Sequence, residues 1–273
     1  MKAIRVRGAK MGKLMNKNIV ITGASSGIGE KVAQKVAEMG ARPILLARSK
    51  EKLQSLSERI NRLTSVNCLF YQLDVSDSEQ VKVVFNRIMD EVGHIDILVN
   101  NAGFAIFDAF HEASLEDMDN MFKVNVLGLM ACTKEVLPSM MERNSGHIIN
   151  IASQAGKLGT PKSSGYAATK HAVLGFTNSL RMELAKTNVY VSAVNPGPIE
   201  TSFFDVADKS GNYVNSVKKY MLKPDYVAEK IVQLMMNPKR ELNLPRWMNV
   251  GSVLYNLFPN LADKLTGNLL NKK

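Results

Sequence analysis

The sequence predicts a doubly wound α/β fold, in which a parallel sheet carries helices on both faces. Short apolar runs alternate along the chain with longer stretches of helical period, an alternation typical of parallel sheets with right-handed crossovers. Within each short run the apolar residues are contiguous instead of alternating with polar ones, which indicates strands buried on both faces. No linker or internal repeat divides the 273 residues, so we expect a single domain.

The elements follow one another in a regular order. Apolar runs predict strands over 18–23, 42–47, 67–75, 96–103, 146–153 and 189–197. Amphipathic patterns predict helices over 28–39, 50–63, 78–92, 115–143, 164–187 and about 225–236, with a seventh strand near the sequence ELNLP. Ligands in such folds bind beyond the carboxyl ends of the strands, near the point where strand order reverses. The polar motifs of this sequence fall at those strand ends.

The formal net charge of +10 is confined to the two ends of the chain. Residues 1–18 carry +6 and residues 238–273 carry +4, so the body between them is neutral. A neutral body does not favour a nucleic-acid-binding groove. We therefore expect a basic flexible leader over 1–17, the main domain over 18–245 and an amphipathic C-terminal extension over 246–273.

The composition favours a cytoplasmic protein. No apolar run approaches the roughly 20 residues that cross a bilayer, and the N-terminal residues lack the apolar centre of a signal peptide. Cys68 and Cys132 lie in apolar segments without metal-ligand spacing, which is typical of reduced core thiols. The four histidines are scattered, so we expect no metal site.

Apolar residues recur at three- or four-residue steps through the C-terminal extension, which indicates an amphipathic stretch interrupted by Pro259. They are Val250, Leu254, Leu257, Leu261, Leu265 and Leu269. Two interpretations are open. The extension packs over the mouth of a ligand site or against another subunit, or it attaches reversibly to a membrane surface through its aromatic residues and flanking lysines.

The motif TGASSGIG follows the first predicted strand and opens the first predicted helix. Gly23 permits a tight turn, Gly27 lets backbone approach a pyrophosphate, and Gly29 lets the helix lie close to the sheet. The helix N-terminus supplies N–H donors and a partial positive charge for phosphates. The predicted pyrophosphate site comprises Gly23, Ser25, Ser26, Gly27, Ile28 and Gly29.

The end of the second strand distinguishes between two dinucleotides. An acidic residue there would accept hydrogen bonds from a free ribose 2′-OH, but this strand ends in LLARSK, with Ala47 at that position and Arg48 after it. A guanidinium can hold a 2′-phosphate through paired hydrogen bonds. We therefore favour NADP(H) over NAD(H); the alternative is a surface arginine that caps the next helix.

Two further strand ends suit the adenosine half of a dinucleotide. Asp74 and Val75, after the third strand, would flank the adenine ring. Asn101, Ala102 and Gly103 follow the fourth strand with amide and small side chains, as close packing against a ribose requires. Ordinary turn chemistry is the alternative for both groups.

Together these motifs resemble the short-chain dehydrogenase/reductase family over residues 18 to about 235. The segments that carry the resemblance are TGASSGIG, NNAG, VNVLG, Ser153, YAATK and NPGPIET. The resemblance implies a Rossmann fold, an oxidoreductase of CH–OH and C=O groups, and a catalytic tetrad of Asn125, Ser153, Tyr166 and Lys170. Tyr166 and Lys170 would also belong to the cofactor site, Lys170 at the nicotinamide ribose. Asn125 would help hold a water that relays protons to Lys170; its alternative is a solvent-facing position.

Tyr166 and Lys170 stand one turn apart, so they point the same way if their segment is helical. Hydride transfer to a carbonyl develops an alkoxide that needs a proton, and a free phenol with a pKa of about 10 is a weak acid for that task. An ammonium about 4 Å away favours the phenolate by about 4 kcal/mol at an effective dielectric of ~20, before desolvation opposes it. Ser153 would hydrogen-bond the carbonyl oxygen and stabilise its growing charge.

The resemblance also assigns roles to the chain after the sixth strand. The contacts at the nicotinamide end of the cofactor would be Pro196, Gly197, Ile199 and Thr201. Residues 202–222 would form a substrate lid. Phe203, Phe204 and Tyr213 in this lid favour an apolar substrate, and packing of the lid itself is the alternative reason for them.

The function we expect is NADP(H)-dependent interconversion of a carbonyl and an alcohol on a hydrophobic or lipid-like small molecule, with Tyr166 as acid and base. One alternative is a 3-oxoacyl-[acyl-carrier-protein] reductase of fatty-acid synthesis. Another is an NADP(H)-binding sensor without turnover, whose usual mark, loss of the tyrosine or lysine, is missing here. By resemblance, the helices 115–143 and 164–187 would pair across a two-fold axis in a homodimer or homotetramer. The small residues that permit this approach are Ala167, Ala168, Ala172 and Gly175.

Overall fold

The strands lie parallel in one seven-stranded sheet. The computed structural model describes residues 12–208, 211–258 and 260. The strands are β1 Asn18–Thr22, β2 Arg42–Ala47, β3 Leu69–Gln72, β4 Ile97–Asn100, β5 Gly146–Ile151, β6 Val189–Pro196 and β7 Glu241–Leu244. Across the sheet their order is β3-β2-β1-β4-β5-β6-β7, which reverses between β1 and β4. The predicted doubly wound, single-domain fold is confirmed, and its switch point lies between these two strands.

Helices cover both faces of this sheet. In the described ranges they are α1 Gly27–Glu38, α2 Lys50–Leu63, α3 Ser78–Val92, α4 Leu115–Phe122, α5 Leu129–Glu142, α6 Ser164–Glu183, α7 Phe203–Ala207, α8 Asn212–Val217, α9 Pro224–Met236 and α10 Arg246–Leu257. A π-helical segment, Lys123–Gly128, joins α4 to α5, and 3-10 turns cover Gln154–Gly156 and Lys218–Tyr220.

The π-helical segment differs from the uninterrupted helix that the sequence predicted over 115–143. It begins at Lys123 and ends at Gly128, where the chain passes close to the end of β3. A Cβ on Gly128 would lie 2.6 Å from the Val75 carbonyl oxygen, so only glycine fits this approach. Widened turns of this kind are frequent at functional sites, and this one carries Asn125.

Burial on both faces of the sheet explains the contiguous apolar runs. Along β1, Ile19 and Ile21 face a cluster that contains Val32 of α1, whereas Val20 faces a second cluster that contains Phe85 of α3. All five side chains are at most 1% exposed. Because both alternating sets of side chains in β1 are covered, the strand has no polar face.

The last part of the predicted leader packs against the domain. Leu14 is buried in the apolar cluster beneath α1 and α2, and Lys17 donates a hydrogen bond of 2.9 Å to Asp96. Leu14 and Lys17 of the predicted leader therefore contact the domain, and the boundary after residue 17 stays a prediction. Residues 1–11 of the predicted leader lie outside the described residues.

The predicted C-terminal extension begins as helix α10, directly after β7 completes the sheet. Pro259 and residues 261–273 lie outside the described residues. Within the described part of the chain, none of the helices combines the length and the apolar character that crossing a bilayer requires.

Candidate active site

The carboxyl ends of β1 and β4 form the centre of the candidate site. The Thr22 hydroxyl accepts hydrogen bonds from the N–H groups of Asn101 (2.9 Å) and Ala102 (3.0 Å). The Asn101 side-chain amide in turn donates to the carbonyl oxygens of Thr22 (3.0 Å) and Gly23 (3.1 Å). These bonds join the glycine-rich turn to the NNAG segment at the switch point.

Backbone segments approach so closely here that side chains would not fit. Gly23 has a φ of +63°, and a Cβ on it would lie 2.9 Å from the Ala102 Cα. On Gly29 a Cβ would lie 2.4 Å from the Gly23 carbonyl oxygen, which would push α1 off the turn. Gly27, with a φ of +57°, faces Thr201, whose Cγ2 would lie 3.3 Å from a Cβ. A pyrophosphate fits such a cradle of bare backbone and helix N–H groups.

The other residues of the motif complete this cradle. Ser25 is half-buried, Ser26 is exposed, and Ile28 packs part of its side chain on the core. Ser26 is the N-cap residue of α1, but its hydroxyl forms no capping hydrogen bond to the helix. An N-cap hydroxyl that leaves the helix N–H groups uncapped is well placed to bind a phosphate together with them.

Arg48 lies directly after β2, which neighbours β1 in the sheet. Its side chain is exposed and forms no hydrogen bond or ion pair with the residues that the structure describes, while its carbonyl oxygen accepts from Gln72 (2.9 Å). Ser49, not Arg48, is the N-cap residue of α2. Ala47 supplies no carboxylate at the end of β2, so the local charge is positive. An exposed guanidinium at this position can bind an anionic group of a ligand.

Asp74 and Val75 have structural partners after β3. The Asp74 carboxylate accepts hydrogen bonds from the Ser76 N–H (3.0 Å) and hydroxyl (2.7 Å), which closes a local turn. Val75 is buried and contacts Gly128. These contacts favour the turn-chemistry interpretation for Asp74, and the adenine contact of both residues stays a prediction.

Ser153, Tyr166 and Lys170 converge beside the cradle. Ser153 follows β5; its hydroxyl accepts from the Ala155 N–H (3.1 Å) and lies close enough to the Tyr166 phenol to influence its pKa. Tyr166 and Lys170 lie one turn apart on α6, and the Lys170 Nζ is 5.7 Å from the centre of the Tyr166 ring. The same Nζ donates to the Ile151 carbonyl oxygen (2.8 Å). The structure thus brings these three predicted side chains together.

Burial governs the acid–base properties of this pair. It raises the pKa of the Tyr166 phenol, and the nearby Ser153 hydroxyl opposes that rise only in part. Burial also lowers the pKa of the Lys170 ammonium to about 8. Lys170 is not among the causes of the raised phenol pKa in this structure, and its ammonium donates to a backbone carbonyl. The phenol therefore keeps its proton near neutrality, which is the form that protonates an alkoxide.

Asn125 is buried and connects the loop after β4 to α6. Its side chain accepts from the Phe104 N–H (3.0 Å), donates to the Phe104 carbonyl oxygen (2.8 Å) and donates to the Thr169 hydroxyl (3.2 Å). A Cβ on Gly103 would lie 2.9 Å from the Asn125 Oδ1. The solvent-facing alternative is therefore wrong, because the side chain is 1% exposed.

The loop after β6 lies against both the cradle and α10. Ile199 is buried and pairs with Leu222 at the far end of the predicted lid. Gly197 contacts Met248, whose Sδ would lie 2.8 Å from a Cβ on the glycine. The four predicted cofactor contacts at the end of β6 or on this loop are Pro196, Gly197, Ile199 and Thr201. They lie between Ser153 and the glycine cradle. The Ser153 hydroxyl contacts the Pro196 carbonyl oxygen (3.5 Å), and Thr201 contacts Gly27.

The predicted lid packs its aromatic side chains against Tyr166. The rings of Phe203 and Phe107 lie 5.9 and 6.0 Å from the Tyr166 ring. Phe204 and Tyr213 in turn pack on Phe107, at 6.4 and 5.1 Å. A cavity of about 180 Å³ beside this cluster is lined by Phe107 and Tyr213, among others, but does not reach Tyr166. The aromatic cluster therefore separates the phenol from this cavity.

Comparison with known proteins identifies the family. The short chain dehydrogenase model matches residues 17–210, well over half of the chain. This protein belongs to the short-chain dehydrogenase family. An uncharacterized oxidoreductase of Staphylococcus saprophyticus is 36% identical over 228 residues, which cover 84% of this chain and 94% of that protein. This protein is therefore an oxidoreductase of CH–OH and C=O groups, and the family resemblance predicted from the motifs is confirmed.

Solved structures agree with this assignment. An alcohol dehydrogenase from Thermococcus sibiricus, complexed with 5-hydroxy-NADP, is 30% identical with a TM-score of 0.75, and the match covers 84% of this chain and 95% of that one. A short chain dehydrogenase/reductase from Burkholderia phymatum, in complex with NAD, is 24% identical with a TM-score of 0.84, covering 91% and 96%. The second likeness concerns the fold alone. Among the described residues of this dehydrogenase, no group of three or more histidine, cysteine, aspartate or glutamate side chains is arranged to hold a metal ion.

Several residues that build the site of this dehydrogenase are not among those predicted from its sequence. Thr22 opens the glycine motif, and its position at a strand end was a usable signal. Phe104 and Phe107 belong to the apolar run FAIF directly after NNAG, which was a signal for a pocket wall. Thr169, which accepts from Asn125, has no sequence signal, because its role depends on the crossing of two distant helices.

Proposed function

We propose that this family member is an NADP(H)-dependent oxidoreductase that interconverts a carbonyl and an alcohol on an apolar small molecule. The observation that carries the proposal is the group of Ser153 with the buried side chains of Tyr166 and Lys170, beside a glycine cradle and beneath an aromatic lid. The described cysteines, Cys68 and Cys132, are free and buried, in keeping with a cytoplasmic location.

A bound nicotinamide dinucleotide would supply or accept the hydride. Tyr166 would hold the proton and give it to the alkoxide oxygen of a substrate carbonyl, or take it back in the reverse direction. Ser153 would donate a hydrogen bond to the same oxygen, since its hydroxyl can rotate between that oxygen and the phenol. Lys170, one turn from the phenol, would favour the phenolate that remains after the proton has left.

The preference for NADP(H) is supported by the charge at the end of β2. Arg48 has an exposed, unpaired guanidinium among the described residues, and no carboxylate occupies the end of that strand. The Thermococcus sibiricus enzyme carries an NADP derivative, which agrees with this preference. A carboxylate that would accept from a 2′-hydroxyl is missing at the corresponding place in this chain.

The apolar character of the substrate is inferred from the surroundings of Tyr166. Its ring packs in a cluster with Met121, Phe107 and Phe203, which come from three different segments of the chain. A substrate that reaches the phenol must replace some of these contacts, and an apolar group does so at the lowest cost in desolvation. Movement of the lid, α7 and α8, would admit it.

Oxidation of NADPH and NADH against a substrate panel tests the proposed function. The panel contains aldehydes, ketones, steroids and 3-oxoacyl thioesters. We expect turnover of apolar carbonyls with a preference for NADPH of about tenfold or more, since one charge-assisted hydrogen bond contributes about 1.5–3 kcal/mol.

The other outcomes of the panel are equally informative. Turnover restricted to 3-oxoacyl thioesters would favour the carrier-protein reductase of fatty-acid synthesis. Tight NADPH binding without any turnover would favour the sensor. Failure to bind either dinucleotide would contradict all three functions, because each of them needs the glycine cradle to hold a pyrophosphate.

We also propose a homodimer or homotetramer that pairs through α6. Ala168 and Gly175 are exposed on this helix and Ala172 is partly exposed, whereas Ala167 is 6% exposed and faces the core. Ala167 therefore cannot contribute to the predicted contact between helices, whereas the other three small residues can. The exposed ones would let a second copy come close, as the family resemblance implies.

Gly175→Glu is expected to split the assembly at this interface, giving monomers from a dimer or dimers from a tetramer, in sedimentation velocity runs at micromolar concentration. A Cβ on Gly175 meets no atom within 4 Å, so the isolated subunit tolerates a side chain there and only an interface would reject it. Leu63→Glu, at the exposed end of α2, is the control and should leave the assembly unchanged. A monomeric wild-type protein, or an assembly that survives Gly175→Glu, would contradict the proposed interface.

A further inference from the structure

The C-terminal helix α10 turns a row of large apolar side chains toward solvent. The residues of this C-terminal apolar face are Trp247, Val250, Val253, Leu254, Leu257 and Phe258, each between 48% and 65% exposed. Four of them, at positions 247, 250, 254 and 257, recur at steps of three or four and therefore form one stripe along the helix. A contiguous exposed stripe of this kind usually marks an interaction surface.

The side of α10 that faces the domain is more polar than the exposed side. Ser252 is buried and donates to the Asn249 carbonyl oxygen (2.9 Å). The Asn249 side chain accepts from Lys157 (2.9 Å), and Met248 contacts Gly197. A helix that only covered the domain would bury its valines and leucines and expose its serine and asparagine. The observed orientation is the reverse, so the apolar stripe is left for a contact outside the domain.

Cations border the C-terminal apolar face. The ring of Tyr220 lies 6.4 Å from that of Trp247, and Lys218 and Lys219, directly before Tyr220, are both exposed. Arg246, the first residue of α10, is also exposed. Helix α10 itself contains no acidic residue. The apolar stripe, which includes the Trp247 ring, is therefore bordered by the Tyr220 ring and by three cationic side chains.

We propose that the C-terminal apolar face and its bordering cations bind the surface of an anionic lipid bilayer. Tryptophan and tyrosine rings favour the headgroup level, the aliphatic side chains would enter the acyl boundary, and the cations would attract anionic headgroups. A second copy of this chain suits the face less well. A two-fold contact would pair the face with an identical copy of itself, and α10 carries no acidic residue to pair with the bordering cations.

The site lies next to this surface, which gives bilayer binding a consequence for the substrate. Tyr220 belongs to the predicted lid, and Met248 contacts the loop after β6. Attachment through α10 would therefore turn the lid toward the lipid, from which an apolar substrate could enter. This consequence rests on the proposed function, whereas binding of the bilayer does not.

Vesicle co-sedimentation of the full-length protein tests the proposal without any measurement of activity. The vesicles contain phosphatidylcholine alone, or phosphatidylcholine with about 30% phosphatidylglycerol to supply negative surface charge. We expect binding to the anionic vesicles only, with weakening at high salt because screening shortens from about 10 Å at 0.1 M to about 3 Å at 1 M. Leu254→Glu/Leu257→Glu should lower the vesicle partition coefficient at least about tenfold, since two side chains leave the acyl boundary.

A matched double variant separates the apolar face from net charge. Leu63→Glu/Val83→Glu adds the same two negative charges at apolar side chains that are 75% and 66% exposed on other helices. It should keep the partition coefficient of the wild type within about twofold, because it leaves the apolar contact intact. Circular dichroism and NADPH binding, which do not involve α10's exposed side, would show that both variants are folded.

Three results would overturn the proposal. One is absence of binding to anionic vesicles by the wild type. Another is an equal loss of binding in the two double variants, which would reduce the effect to net charge. The third is dissociation of an oligomer by Leu254→Glu/Leu257→Glu without vesicle binding by the wild type, which would assign the face to a second copy. None of these results bears on turnover of NADPH, so the proposed function is tested separately.

Discussion

Tyr166→Phe is expected to lower kcat by about 10²–10⁴-fold, the range that a positioned general acid contributes. NADPH affinity should change little, because the glycine cradle and Arg48 are untouched. The fold should also hold, since the Ser153 hydroxyl keeps its contacts with the Ala155 N–H and the Pro196 carbonyl oxygen. Single-turnover oxidation of NADPH with the best substrate of the panel, beside fluorescence titration with NADPH, measures both quantities.

A second phenol provides the control for this variant. Tyr190 on β6 is 53% exposed, and Tyr190→Phe removes a hydroxyl far from the Ser153 and Lys170 side chains. Its kcat should stay within about twofold of the wild type, as is usual for surface substitutions. If Tyr166→Phe kept wild-type turnover, the proton would come from another group and the proposed role of Tyr166 would be wrong.

Arg48→Asp is expected to reverse the cofactor preference. Loss of a charge-assisted hydrogen bond of about 1.5–3 kcal/mol, together with repulsion of the 2′-phosphate by the new carboxylate, should weaken NADPH binding by about 100-fold. NADH binding should hold or improve, because an acidic residue at this strand end can accept from the ribose 2′-hydroxyl. Isothermal titration with each dinucleotide measures the ratio of the two affinities.

Arg62→Asp is the matched control for Arg48→Asp, since it makes the same change of charge at an exposed position in the last turn of α2. It should leave the ratio of NADPH to NADH affinity unchanged. Equal losses of both affinities in Arg48→Asp would show that Arg48 does not bind the 2′-phosphate, and the choice of NADP(H) would then rest on another residue.

The sequence predicted the fold, which is confirmed, and the proposed site residues, because both predictions depend on local patterns. Strands buried on both faces need contiguous apolar runs, so β1 could be located from residues 18–23 alone. Gly29 is required by a backbone approach to the Gly23 carbonyl oxygen within a single strand–turn–helix unit, and Gly23 has the positive φ of the turn itself. The one-turn spacing of Tyr166 and Lys170 likewise follows from the helix period.

Properties that depend on contacts between distant segments could be read only from the folded protein. The pKa of Tyr166 is raised because its ring lies beneath Phe107 and Phe203, which come from the loop after β4 and from the lid. Desolvation is a property of the assembled environment, so the spacing of Tyr166 and Lys170 could not predict its size. The same holds for α10: its pattern indicated an amphipathic helix, but only packing on the domain showed that the apolar side faces outward.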